Sequence, residues 1–172
     1  VKIFGIGLTR TGTTSLTEAL KILGYSAVHC PMSYEEIDHY DASTDTAVAA
    51  RFEFLDLLYP DSKFILTLRD LDSWIESAAS LNRFKCDPIW QLETRAKLWG
   101  SFLFDREKFI EGYHKHHSKV LHHFRNRPND FLILDLRATE KFEKLCGFLN
   151  KPKIESEYPH LNKRENYDYG KR

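Results

Sequence analysis

The chain has 172 residues, 42% hydrophobic and 29% charged, a composition that suits one soluble domain with a core of its own. Its 25 basic and 25 acidic side chains balance to zero net charge, which argues against a nucleic-acid binder. No basic amphipathic helix and no apolar run near the ~18 residues of a bilayer span point to a membrane. Three cysteines without CxxC spacing (Cys30, Cys86 and Cys146) argue against a disulfide framework or zinc site and for a reducing cytoplasm, and no signal-peptide pattern opens the chain.

Lys2–Gly7 reads as a first strand. Residues 5–15, GIGLTRTGTTS, form the turn after it, and the helix over Ser15–Leu23 buries Leu16, Ala19, Leu20 and Leu23 before stopping at Gly24. Tyr25–His29 is a short second strand, and Pro31–Thr46 reads as irregular with one helical turn. Ala47–Tyr59 reads as one helix with Val48, Phe52, Leu55 and Leu58 inward, ended by Pro60. KFILTL at Lys63–Leu68 is apolar at consecutive positions, as a central parallel strand covered on both faces is. Asp70 or Asp72 caps a helix that runs to Leu81, Asn82–Asp87 is a linker, and Pro88 is the first residue of a helix continuing over Ile89–Phe102. A long helix follows over Asp105–Asn126, then a buried strand at Phe131–Leu134, a helix over Thr139–Leu149 and a polar loop or tail over 151–172.

Strands separated by helices predict right-handed crossovers and an α/β fold: three layers around a central parallel sheet, one domain over 1–172. Such sheets bind ligands at the carboxyl ends of their strands. The Gly7–Ser15 loop, His29–Cys30 and Arg69–Asp70 are therefore expected to line one cleft.

The loop carries the strongest chemical signal. Gly7-x4-Gly12 has the spacing of a phosphate-binding turn, but Thr13-Thr14 stands where a nucleotide-hydrolysing loop has Lys-Ser or Lys-Thr. The positive charge sits inside the loop, at Arg10. Gly12 lets the backbone approach an anion, and Thr13, Thr14 and Ser15 offer N–H groups and hydroxyls at a helix N-terminus. The donor fork of Arg10 suits phosphate or sulfate oxygens. Arg69 ends the central strand, and Ser77 lies two turns into the next helix on the face of Ser73, a pair that can grip a second anion. HKHHSKVLHHF tempts a zinc reading, yet Phe109, Tyr113, Val120 and Phe124 make an apolar stripe with His117 inside it, and no ligand set converges.

Together the two anion segments resemble the sulfotransferases that use 3′-phosphoadenosine-5′-phosphosulfate (PAPS). GLTRTGTTSL is similar to the 5′-phosphosulfate loop of that family, and FILTLRDLDSWIES to its 3′-phosphate segment, with Arg69 and Ser77 at the family spacing. The microbial branch reading G-L-P-R-T-G-T-x-S-L is also similar at LGYSAVHC, DTAVAARFEFLDLLYP, YHKHHSKV, KFEKLCGFL and YPHLN. The resemblance implies a P-loop-like fold, PAPS as donor, no metal, and sulfuryl transfer to a hydroxyl or amine of a small-molecule or glycan-type acceptor. It assigns Arg10 to the sulfuryl group and bridging oxygen. It places Thr11, Gly12, Thr13, Thr14 and Ser15 on the 5′-phosphosulfate, and Arg69 and Ser77 on the 3′-phosphate. Arg164, within Asn162-Lys163-Arg164, falls where relatives carry a basic loop over that phosphate. Thr9 and Leu71 replace prolines usual in the family, and no tryptophan follows Thr14 to stack on adenine. His29, at the end of the second strand, is the first candidate for general base; Asp45, in a segment resembling a family motif, is the second, and His117 the third. Phe84–Trp99 is the expected acceptor lid, with Trp90 or Trp99 as its wall. The chain is short for the family, so its acceptor pocket is small or completed by a second copy in a homodimer. Two other readings stay open: a P-loop kinase for a small metabolite, against which the missing lysine speaks, and a non-catalytic nucleotide- or protein-binding module on the same fold.

Overall fold

The computed structural model describes residues 1–81 and 88–161; Cys86 and Asn162-Lys163-Arg164 lie outside the described residues. Its sheet is built from β1 (Ile3–Gly5), β2 (Ala27–His29), β3 (Ala42–Thr44), β4 (Lys63–Leu68) and β5 (Phe131–Asp135). All neighbours pair in parallel, in the order β2-β3-β1-β4-β5. From β1 the chain first moves out to β2; after β3 it crosses β1 to reach β4. The direction of winding therefore reverses at β1, and the crevice that opens at such a reversal lies at its carboxyl end.

Side-chain alternation divides the core between two faces. Ile3 and Ile65 pack with Leu16 and Leu20 of α1 (Thr13–Ile22) and with Phe142 and Leu145 of α8 (Lys141–Phe148). Phe4, Ile6, Phe64 and Leu66 face the opposite side, against Leu55 of α4 (Phe52–Leu58), Trp74 of α5 (Leu71–Ala78), Trp99 of α6 (Ile89–Trp99) and Val120 of α7 (Arg106–His123). This is the three-layer α/β/α architecture with an all-parallel sheet that the alternation of strands and helices predicts. Trp74 ties the layers to the loop. Its ring is fully buried against Trp99, Phe109 and Tyr113, and a buried indole N–H needs a partner, which it finds in the Thr9 carbonyl at 2.8 Å.

Helix ends follow the local chemistry. Gly24 and Tyr25 donate their N–H groups to the carbonyls of Lys21 (2.9 Å) and Leu20 (3.1 Å), a paired C-terminal cap on α1. Asp70 caps α5 by accepting from the Ser73 N–H at 3.0 Å, and Asp105 caps α7 by accepting from Lys108 at 3.1 Å.

The structure corrects several element boundaries. Pro31–Thr46 holds a helix, α2 (Tyr34–His39), and the strand β3. β3 is Ala-Ser-Thr, small residues that show no strand pattern and are held by pairing on both sides. Ala47–Tyr59 is not one helix. α3 (Thr46–Ala49) and α4 are separated at Ala50–Arg51, where the Arg51 backbone leaves the helical region (φ −127, ψ 8) and its guanidinium donates to the Ala47 carbonyl at 3.0 Å. Pro88 is the N-cap of α6 rather than its first residue, and α6 ends at Trp99 instead of Phe102. Residues 151–161 carry no helix or strand, yet Ile154 and Tyr158 pack onto the α1/α8 face, where burial pushes the Tyr158 phenol far above its ordinary range. No helix among the described residues is long and apolar enough to cross a membrane.

Candidate functional site

The loop between β1 and α1 is shaped from below by hydroxyls. The Thr11 O–H donates to the Leu8 carbonyl at 2.6 Å, so in the 2.7 Å contact between Thr11 and Thr67 it is Thr67 that donates. A Cβ at Gly7 would stand 1.8 Å from the Thr67 hydroxyl and 2.7 Å from that of Thr11, which makes glycine a requirement of this close approach. The Thr11 N–H also bonds the Leu8 carbonyl, at 3.2 Å, so both donors of this fully buried residue hold the loop itself.

Above that floor the loop opens toward an anion. Gly12 is the N-cap of α1, at φ 94, a conformation that side chains avoid, and it has no side chain with which to cap the helix. The first intrahelical bond is from Leu16 N–H to the Gly12 carbonyl at 3.0 Å; the amides of the first turn precede it and have no intrahelical carbonyl to reach. Ser15 is buried and its hydroxyl accepts the Leu161 N–H at 3.1 Å. Residues 151–161 thus return to the loop.

The two arginines form one cluster rather than two separate grips. Arg10, left-handed at φ 65, sends Nε to the Ser77 hydroxyl at 2.9 Å. Arg69 sends Nε to the Ser73 hydroxyl at 3.0 Å and Nη1 to the Arg10 carbonyl at 3.2 Å. Spacing alone paired Arg69 with Ser77; in the fold Ser73 stands between them, and Ser77 is taken by the arginine of the loop. The Arg69 carbonyl in turn accepts the Tyr113 hydroxyl at 2.7 Å, which anchors the strand end to α7.

His29 and Asp45 meet beside the first turn of α1. They are sixteen residues apart, but β2 and β3 pair His29 with Thr44. His29 Nε2 lies 3.2 Å from the Thr13 hydroxyl, 3.1 Å from that of Thr14 and 3.5 Å from Asp45 Oδ2. The Thr13 hydroxyl donates to Asp45 Oδ1 at 3.4 Å. Asp45 occupies the N-cap position of α3, but its carboxylate turns away from the helix toward this cluster. Its backbone sits at φ 90, ψ −178, a region that is essentially glycine's. It is pinned there by its N–H to the Gly5 carbonyl (3.2 Å) and by its carbonyl to the N–H groups of Val48 (2.9 Å) and Ala49 (3.0 Å). Burial, followed by the nearby Asp45 carboxylate, pushes the Cys30 thiol up to about 12. Cys30 is therefore a neutral neighbour of the cluster, not a nucleophile.

His117 is elsewhere. It is buried on α7, where its Nδ1 donates to the Tyr113 carbonyl at 2.6 Å. Its neighbour His116, which the sequence did not single out, donates Nε2–H to the Ile6 carbonyl at 2.8 Å, at the foot of the loop. Burial lowers the His116 pKa to about 4, so it is neutral at pH 7 and acts as a fixed donor. Trp99 stacks on Phe109 in the core, which leaves Trp90 near the site. Among the described residues, no group of three or more His, Cys, Asp or Glu side chains could hold a metal ion.

A family model described as sulfotransferase domain matches residues 2–36 and 32–167. The chain belongs to the sulfotransferase family. Ava biosynthesis cluster protein M of Aspergillus versicolor is similar to this sulfotransferase, 26% identical over 215 aligned residues that cover 94% of this chain and 80% of that protein. The alignment is longer than the chain, so the relative carries internal segments that this sulfotransferase lacks. Membership makes the protein a transferase of the sulfotransferase type, on a fold whose carboxyl edge gathers an arginine cluster, a helix N-terminus and a His–Asp pair.

Proposed function

We propose that this sulfotransferase uses PAPS as donor and delivers the sulfuryl group to an acceptor hydroxyl, with His29 as general base. The observation that carries the reading is the Arg10–Ser77 and Arg69–Ser73 cluster beside the N-terminus of α1. The donor set fits the molecule. First-turn amides and hydroxyls with the Arg10 guanidinium suit a 5′-phosphosulfate, and the Arg69 guanidinium at the flank suits a second anionic end, the 3′-phosphate. A kinase loop would place its cation after Gly12, where this chain has Thr13.

The residues divide the work. Gly12, Thr13, Thr14 and Ser15 hold the 5′ end, Arg69 with Ser73 and Ser77 holds the 3′-phosphate, and Thr11 shapes the loop. Bound there, PAPS supplies a sulfuryl group whose sulfur–oxygen bond to the 5′-phosphate breaks as one to the acceptor oxygen forms. Arg10 and the first-turn amides stabilise negative charge on the departing phosphate oxygen, a role for which a single donor is worth about 10²–10³ in rate. Thr13 donates to Asp45 and so accepts from His29 Nε2–H. That tautomer leaves the Nδ1 lone pair to take the acceptor proton, and Nδ1 makes no hydrogen bond among the described residues.

Isothermal titration with 3′-phosphoadenosine 5′-phosphate, ATP and AMP tests the donor. The 3′-phosphorylated nucleotide should bind most tightly, and Arg69→Ala should weaken it about 10–100-fold, the worth of charge-assisted hydrogen bonds. Equal affinity for AMP would overturn the reading.

A further inference from the structure

We infer that Thr17 and Thr44 are positioning residues for the transfer: their hydroxyls, linked in series behind Thr13, hold and polarise the Thr13–Thr14 peptide so that its N–H grips the 5′ end of the donor. This inference rests on the donor reading above. Thr17 lies on α1, and Thr44 ends β3 with Gly5 of β1 on one side and His29 of β2 on the other. Both side chains are buried, Thr44 completely. Thr44 shares the sheet face of Ala42, which packs with Leu16 and Leu20 of α1. The two hydroxyl oxygens are 2.6 Å apart. The Thr13 carbonyl stands 3.0 Å from the Thr17 hydroxyl and 3.4 Å from the Thr44 hydroxyl. Two protons serve these three contacts. Oxygens this close need one proton between them, so the other goes to the Thr13 carbonyl, whichever way the pair is ordered. The shorter distance assigns it to Thr17: Thr44 donates to Thr17, and Thr17 donates to Thr13.

The Thr13 carbonyl does not need this pair for its own sake. It lies within α1, where the Thr17 N–H is its partner in the helical ladder. Two valines of the same shape would serve the apolar layer as well as the two threonines do. What the pair changes is the other end of the same peptide unit. The Thr14 N–H, one of the first-turn amides, is conjugated with the Thr13 carbonyl. A further donor at that oxygen draws electron density from the nitrogen and strengthens the N–H as a donor in its turn. A hydroxyl that itself accepts a hydrogen bond donates more strongly, so Thr44 reaches the amide through Thr17. The support is also mechanical. A Cβ at Gly5 would stand 2.8 Å from Thr44 Cγ2, so Thr44 is wedged against β1 and ties the first turn of α1 to the sheet. The amide then keeps its aim as charge builds on the departing phosphate oxygen.

Thr17→Val with Thr44→Val removes both hydroxyls at constant shape, so the fold should hold. In the full chain, affinity for 3′-phosphoadenosine 5′-phosphate should fall about tenfold, while affinity for adenosine 3′-phosphate, which lacks the 5′ group, should stay within about twofold. Either single valine leaves a hydroxyl in reach of the Thr13 carbonyl, so each should cost only about twofold, and the pair should cost more than the product of the two. Thr17→Ser with Thr44→Ser keeps both hydroxyls and should bind the 3′,5′ nucleotide as the parent chain does. Equal weakening of both nucleotides, unchanged affinity in the valine pair, or a serine pair as weak as the valine pair overturns the inference. Should the valine pair fail to fold, Thr44→Val alone decides. The Thr14 amide proton of its nucleotide complex should move upfield in the nuclear magnetic resonance spectrum, and an unmoved resonance overturns the inference. A parent chain that binds AMP as tightly as the 3′,5′ nucleotide strikes the donor reading instead.

Discussion

Replacing Asp45 by glycine should leave a more stable protein than replacing it by alanine. Both variants lose the same carboxylate, and with it the contacts to Thr13 and His29, so those losses cancel in the comparison. What remains is the backbone at φ 90, ψ −178, held by hydrogen bonds to Gly5, Val48 and Ala49 that neither substitution removes. Keeping a side chain there costs about 1–3 kcal/mol. Glycine returns roughly 0.5–1 kcal/mol of that advantage through the greater freedom of its unfolded chain. The net difference is about 1–2 kcal/mol in favour of glycine, or ~2–8 °C in Tm for a chain of this size. Urea and thermal melts of the two variants measure it directly. Transfer activity should fall in both, by up to the ~10²–10⁴ that a general base contributes, because His29 loses its orienting partner. An alanine variant as stable as the glycine variant would show that no strain is stored at this position, and the account of Asp45 as held out of its preferred geometry would be wrong.

Gly7→Ala should destabilise by about 3 kcal/mol, since its Cβ would stand 1.8 Å from the Thr67 hydroxyl. Adding Thr67→Ala, which alone costs about 1 kcal/mol, should recover much but not all of that loss, and melts in which the double variant gains nothing would place the clash elsewhere. His116 sets a pH dependence. Its pKa is lowered from 6.5 to about 4 by burial, so between those values the unfolded chain binds the proton more readily than the folded one. Its contribution to stability is complete above pH 6.5 and is lost as pH falls toward 4. His116→Gln, which keeps a donor for the Ile6 carbonyl, should flatten the slope of the urea midpoint across that window, and a slope unchanged in the variant would refute the assignment. Asp56 is distinct. Although burial alone would raise its pKa, hydrogen bonds from Arg127 and His123 hold it below the carboxylate range, so its effect belongs to more acidic conditions.

The parts of the site that were legible in the sequence are those whose chemistry is local. Glycines, hydroxyls and an arginine crowd into eleven consecutive residues of the loop, and β4 and β5 announce themselves as apolar strands. β3 was illegible because Ala-Ser-Thr acquires strand geometry only from its two neighbours, and with it went the register that brings Asp45 to His29. The serines were assigned by helical spacing, but a long side chain answers to distance in space. Arg69 reaches Ser73, one turn away, while Arg10 spans from another element to Ser77. Arg51 breaks a continuous helical pattern through a hydrogen bond to Thr94 and stacking over the Trp90 ring, partners some forty residues on that no local window contains.

The distribution of strain supports the same site from a different direction. Five non-glycine residues among the described ones have positive φ: Arg10, Cys30, Asp45, Asp61 and Asn150. Asp61 and Asn150 are residue types that tolerate the left-handed region, and they lie in connections away from the carboxyl edge. The other three follow the carboxyl ends of β1, β2 and β3, side by side in the sheet. Relaxing any of them would re-aim the Arg10 guanidinium, the chain path beyond His29, or the carboxylate that faces His29. At the opposite edge, where β4 and β5 begin, Arg127 grips Asp56 through two bonds of 2.6 and 2.9 Å and reaches Asp130, which also pairs with Lys63. Ion pairs fasten the amino edge, where Asp61 takes a left-handed state that its residue type tolerates, while the positive-φ residues after β1, β2 and β3 collect at the carboxyl edge. Relaxing the backbone at all three carboxyl-edge positions would move the Arg10 guanidinium, the turn after His29 and the Asp45 carboxylate together, a concentration of strain expected where an edge serves a ligand rather than packing alone.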